Sequence, residues 1–232
     1  MATHLDLEEQ QQLDALKAFW NKHGNLITWT LVVALAAFGG WRAWEWYQGD
    51  QSQKAGAMFE ELDRAAQAND ADKTSRVFAD LKERFPRTAY AQQGGLMAAK
   101  LQVAKGQTDA AKASLSWVAD NAVEEEARTI ARLRLAAVQA DAKQYDDALK
   151  TLDAAKTEGF ESLVADRRGD VLMAQGKKDE ARAAWQRAYA AMSDKVDYRR
   201  LIEAKLSAVG AAPGSAASAP AAASAAASGA GK

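Results

Sequence analysis

From Leu26 to Trp41 the chain carries no charged residue, and the run reads LITWTLVVALAAFGGW. Extended to Trp46 as a helix, it measures roughly 31 Å at ~1.5 Å per residue, the thickness of a hydrocarbon core of ~30 Å. The edges fit that medium. Trp41, Trp44, Trp46 and Tyr47 crowd the far end, Trp20 and Trp29 mark the near one, and Arg42 can snorkel to the headgroups. A buried core helix would have no use for tryptophans stacked at its ends. Ala34-Leu35-Ala36 imitates a cleavage site, but the apolar stretch before it is short and the leading segment is acidic. The run therefore reads as an uncleaved transmembrane anchor over 26–46, embedded in membrane lipid. Basic residues on its two sides nearly balance, so charge bias alone does not orient it. Ala36 with Gly40, and Gly39 with Ala43, put small residues four apart, as helices that pack closely in lipid do.

The anchor divides the rest of the chain. Residues 1–25 read as a short segment with an amphipathic helix over 3–22, capped by Thr3 or Asp6, with Leu13, Leu16 and Trp20 on one face. Gly24-Asn25 predicts a break before the anchor. Residues 210–232 are almost wholly Ala, Ser, Gly and Pro and have too little apolar bulk to form a core.

Residues 50–209 are rich in Ala, Leu, Lys, Arg, Glu and Gln, with three prolines in the whole chain. These side chains favour helix, and no credible strand is present, so the fold class is all-α. Apolar residues recur at three and four, and the reading is helices over 52–68, 72–84, 88–105, 108–119, 126–142, 145–156, 161–175, 178–192 and 195–208. Breaks fall at Asn69-Asp70, Pro86, Gly106, Gly159 and Gly176.

The helices repeat in pairs. Ala111, Ala148 and Ala181 stand in GQTDAAKASL, KQYDDALKTL and GKKDEARAAW, each followed four residues later by Leu115, Leu152 or Trp185. A small residue lets two helices approach and the bulky one fills the space beside it, so such pairs stack to bury a shared core. Ala99, Ala136, Gly169, Tyr145, Ala155, Ala188, Phe78 and Pro86 fall where the tetratricopeptide repeat has its own signature residues, and Thr74 stands where alanine is expected. The region resembles that family, without its first-helix tryptophan. The resemblance implies a right-handed α-solenoid of about four helix pairs. It places Phe59, Asp63, Gln93, Leu96, Lys100, Val103, Leu133, Asp166, Asp170 and Met173 along a concave protein-binding groove.

Composition closes other routes. There is no cysteine, and the only two histidines precede the anchor, so the helical region has no thiolate or imidazole for a metal or a nucleophile. Acidic and basic residues balance there, which argues against nucleic acid. Glu124-Glu125-Glu126 begins a helix, where negative charge meets the helix dipole. No phosphate loop, HExxH, GxSxG or EF-hand pattern appears. No catalytic residue, metal ligand or cofactor is expected.

An acidic leader, LDALKAFWNKHGNLIT, a single anchor closing on GGWRAWEWYQ, and degenerate repeats together resemble the YfgM-like family of ancillary SecYEG translocon subunits over about residues 5–208. That resemblance implies a bacterial inner-membrane protein with its N-terminus in the cytoplasm and its repeats in the periplasm. It implies as partners the SecYEG translocon, a PpiD-like membrane chaperone and unfolded secreted or outer-membrane proteins. A scaffold with one defined partner and no chaperone activity is the alternative. A carboxylate enzyme and a cytoplasmic adaptor of inverted topology are the more remote ones.

Overall fold

No proline precedes Pro86 to interrupt a run of good helix formers. In the computed structural model, which describes residues 7–193 and 197–211, the first helix α1 is accordingly continuous over Leu7–Gln67. This corrects the expected break at Gly24-Asn25 and the separate helix over 52–68. A glycine inside a helix costs only about 1 kcal/mol relative to alanine, too little to stop a chain whose backbone bonds continue on both sides. The proposed cap at Thr3 or Asp6 lies outside the described residues, as does the tail from residue 212 onward.

The chain divides into two compact units, Met1–Lys54 and Ala55–Lys232. In the first, the apolar stretch of α1 is long enough to cross a membrane, and its most apolar window buries none of its surface within the protein. Leu26, Trp29, Val33, Leu35 and Phe38 are all more than half exposed.

The second unit begins with the last turns of α1 and continues through α2 (Ala71–Arg84), α3 (Ala89–Ala104), α4 (Thr108–Asn121), α5 (Glu125–Asp141), α6 (Tyr145–Asp153), α7 (Glu161–Ala174), α8 (Lys178–Ala191) and α9 (Tyr198–Ala208). Among the described residues there are nine helices and no strand. Each helix from α2 packs on the next, and α3, α5 and α7 also touch in order.

One turn, used five times, sets this order. At the end of α3 the Gly106 N–H donates to the Val103 carbonyl (3.0 Å) and the Gln107 N–H to the Gln102 carbonyl (2.8 Å), with Gly106 at φ 71°. Equivalent pairs of bonds close α1 at Asn69, α5 at Lys143, α7 at Gly176 and α9 at Gly210, all with positive φ. These left-handed closures satisfy the last carbonyls and reverse the chain. Asp70 then caps α2 by accepting from the Lys73 N–H at 2.9 Å, and Thr88 caps α3 after Pro86.

Packing within the pairs follows the sequence reading. Ala111, Ala148 and Ala181 are fully buried, with Leu115, Leu152 and Trp185 buried beside them. Thr74, at the alanine position of the first pair, is equally buried and donates its hydroxyl to the Asp70 carbonyl at 2.7 Å. Gly169 lies so close to the Trp185 ring that a Cβ there would come within 2.4 Å of Cδ1 and Nε1. A Cβ at Gly95 would approach Val118 Cγ2 to the same distance. These two glycines are defined by close approach.

By its closing turn, α9 is the first helix of a fifth unit. Ala99, Ala136 and Gly169 stand seven residues before their turns. Glu203 occupies that place in α9, where it accepts from the Tyr189 hydroxyl at 3.1 Å.

Candidate protein-binding surface

The shared turn gives each first helix a register, and the expected groove residues sort themselves along it. Phe59, Leu96, Leu133 and Asp166 fall at one equivalent position and face the next helix pair. Phe59 is half-buried against the first core, its ring 5.6 Å from that of Tyr90. Leu96 packs on Val118 and Ala131 of one cluster and on Leu135 and Val138 of another. Leu133 packs against the cluster of Ala136, Leu152 and Val171. The structure thus uses these side chains to join neighbouring pairs.

Asp166 occupies the same position on α7 and is fully buried. Its Oδ1 and Oδ2 accept from Lys205 Nζ at 2.8 and 2.9 Å, and Oδ2 accepts from the Tyr198 hydroxyl at 2.7 Å. Asp170, one turn on, accepts from the same Lys205 Nζ at 2.7 Å and from Trp185 Nε1 at 3.3 Å, and Arg167 lies 3.5 Å from its other oxygen. Burial, together with the hydrogen bond to Asp166, pushes the Tyr198 hydroxyl up to about 12. The resemblance to the tetratricopeptide repeat implies an open groove for both aspartates. Here they form the polar seam that holds α9, because Lys205 and Tyr198 stand where the preceding pair has Val171 and Val164.

The remaining nominated residues are accessible. Gln93, Lys100, Val103 and Met173 are exposed, and Asp63 is half-buried with its carboxylate accepting from the Gln67 side-chain amide at 2.7 Å. Asp63 and Lys100 come together at a cavity of about 340 Å³ between the end of α1 and α3. Ala66, Gln67, Asn69, Met97, Leu101 and Ala104 complete its lining. Sequence reasoning did not single out Gln67 and Met97.

In the first unit, the ideal Cβ positions at Gly39 and Gly40 meet nothing within 4 Å, and Ala36 and Ala43 are exposed beside them. Trp41, Trp44, Trp46 and Tyr47 are each more than half exposed.

Residues 17–211 match the family model of a tetratricopeptide repeat-like domain. The ancillary SecYEG translocon subunit of Escherichia coli K12 is 32% identical over 178 residues, covering 77% of this chain and 85% of the relative. That of Neisseria gonorrhoeae is 31% identical over 211 residues, covering 90% of this chain and the whole of the relative. The chain belongs to the YfgM-like family of ancillary SecYEG translocon subunits. The Haemophilus influenzae member is 31% identical, with 78% of this chain and 89% of its own covered. No solved structure matches the chain. Family membership spans both units, so the anchor-like helix and the repeats are parts of one family architecture.

Proposed function

We propose that this YfgM-like chain is a single-pass inner-membrane protein that stands beside the Sec translocon and holds secreted or outer-membrane proteins as they emerge. The observation that carries the reading is the match to ancillary SecYEG translocon subunits along most of both chains. The residues add physical support. An apolar helix with no partner among the described residues loses stability at ~25 cal/mol per Å² of exposed apolar surface in water and regains it in lipid. Trp41, Trp44, Trp46 and Tyr47 then lie at one membrane edge, and Ala36, Gly39, Gly40 and Ala43 offer a face to a neighbouring helix.

In this reading the N-terminus is cytoplasmic and the repeats are periplasmic, with a PpiD-like membrane chaperone as a second partner. The exposed surface around Asp63, Gln93, Lys100, Val103 and Met173 mixes apolar and charged groups, which suits weak contacts with many sequences. Tethering at the channel exit raises the effective concentration, so weak contacts suffice.

Photo-crosslinking in membranes tests the proposal, with probes placed in turn at Gly40, Lys100 and Val103. Adducts of the Gly40 probe to translocon subunits, and of the other two to nascent secreted chains, are the expected result. One stable partner on the repeats with no nascent chains would replace the chaperone-like role with that of a scaffold. Topology is read separately. The chain has no cysteine, so a single Val103→Cys thiol labelled by an impermeant maleimide on intact spheroplasts reports a periplasmic domain. Labelling only after lysis would invert it.

A further inference from the structure

Resting on that reading, we propose that the cavity between α1 and α3 takes one bulky apolar side chain of an extended, unfolded polypeptide segment that carries opposite charges on either side of it. Ala66, Met97, Leu101 and Ala104 make the lining mostly apolar, Gln67 and Asn69 add polar groups, and Asp63 from α1 and Lys100 from α3 supply the two charges. At about 340 Å³ it lies at the lower end of the ligand-pocket range of ~300–1,000 Å³, a size for one large side chain and not for a helix face.

The charges are available. Among the described residues neither Asp63 nor Lys100 is in an ion pair, and the Asp63 carboxylate is bonded to a neutral amide. The equivalent carboxylate of α7, Asp170, is by contrast bound by Lys205. An extended chain sets residues two apart on one face about 7 Å from each other. With the apolar residue inserted, its neighbours at minus two and plus two lie about 14 Å apart on that same face, a span that straddles two packed helices whose axes stand about 8–10 Å apart. A basic residue meets Asp63 and an acidic one meets Lys100. The ligand class is therefore an unfolded segment of pattern charge–x–apolar–x–opposite charge.

The test uses the full chain in lipid nanodiscs, with empty nanodiscs as reference, and fluorescence anisotropy of labelled peptides with a central Phe. One peptide has Lys and Asp at the flanking positions, one has two Asp, and one has two Lys. The native chain should prefer the mixed-charge peptide, and replacing its Phe by Ala should weaken it about tenfold or more. Ala104→Trp, which fills the cavity from an exposed position, should do the same. Asp63→Lys should shift preference to the two-Asp peptide and Lys100→Asp to the two-Lys peptide, each by about threefold to tenfold. If Ala104→Trp fails to fold, the two charge reversals decide. Unchanged affinity and unchanged charge preference in these variants would overturn the cavity as the site. The broader reading would survive that result if nascent chains still crosslink at Lys100 and Val103, and would fall with it if they do not.

Discussion

The two ends of the repeat region carry acidic residues at equivalent places and use them in opposite ways. Near the start, Asp63 faces a cavity whose base, Lys100, stands on the other wall and binds nothing charged among the described residues. Near the end, Asp166 and Asp170 share Lys205, and the Tyr198 hydroxyl adds a fourth member. The register is the same, and the difference is what the next helix brings. The lesson is that a repeat position has no fixed role. A carboxylate facing a short apolar neighbour stays open, and one facing a lysine becomes a seal.

The largest expected effect comes from breaking the seal. Lys205→Met leaves Asp166 buried without its cation, and removing one partner of a buried pair costs about 3–5 kcal/mol. Hydrogen exchange of the full chain in nanodiscs should then show α9 amides opening freely while α2 and α3 stay protected. If α9 keeps its protection, Lys205 is a surface contact and the contrast between the two ends collapses.

Gly169→Ala tests the same end from its other side. The new Cβ would lie 2.4 Å from the Trp185 ring, and overpacking of this kind costs about 1–3 kcal/mol. Because Trp185 also donates to Asp170, a displaced ring should loosen α8 and α9 together. The exchange of α7–α9 amides should speed up with that of α3 unchanged. A neutral outcome would mean that the ring has room to move and that the pair is loosely packed.

These residues also mark how far the sequence could be read. The pairing of helices was legible because it rests on local signals: small residues at Ala111, Ala148 and Ala181, caps such as Asp70, and turn glycines at Gly106 and Gly176. The long apolar stretch of α1 was legible from one uncharged run. Gly24-Asn25 was misread because a glycine has a strong association with turns and only a weak energetic cost inside a long helix. Asp166 is hidden for a different reason. Asp166 is charged and resembles a surface residue until Lys205, 39 positions later, covers it. No local pattern carries that information. Leu96 and Leu133 belong to the same series, and only the register of the turns separates joining residues from exposed ones.

A smaller effect follows from the hydroxyl within the seal. The Tyr198 pKa is raised from 10.0 to about 12, so the folded state holds this proton more tightly than the unfolded one. Its contribution to stability is complete below about pH 10 and is lost as pH rises toward about 12. Tyr198→Phe should remove that part of the alkaline fall in α9 protection, at a cost of about 1 kcal/mol near neutrality for one hydrogen bond. An unaltered alkaline profile in the variant would show that some other group controls the loss.

The smallest effect is expected where neither end is involved. Lys143 closes α5 at φ 60°, while the equivalent places in α3, α7 and α9 are held by Gly106, Gly176 and Gly210. Left-handed backbone costs an L-residue roughly 1–2 kcal/mol. Glycine avoids that strain but loses more freedom on folding, by about 0.5–1 kcal/mol. Lys143→Gly should therefore stabilise the middle of the array by a few tenths of a kcal/mol to about 1 kcal/mol. This would be seen as slower exchange in α5 and α6, with the cavity and the α9 seam unaffected. The position was missed in the sequence because a lysine carries no turn signal, although it lies 37 residues after Gly106, as Gly106 does after Asn69. If the substitution instead destabilises the protein, the lysine side chain contributes something at this turn that its backbone geometry does not reveal. The five closures would then not be interchangeable, and the register used to compare the two ends would need to be drawn from packing alone.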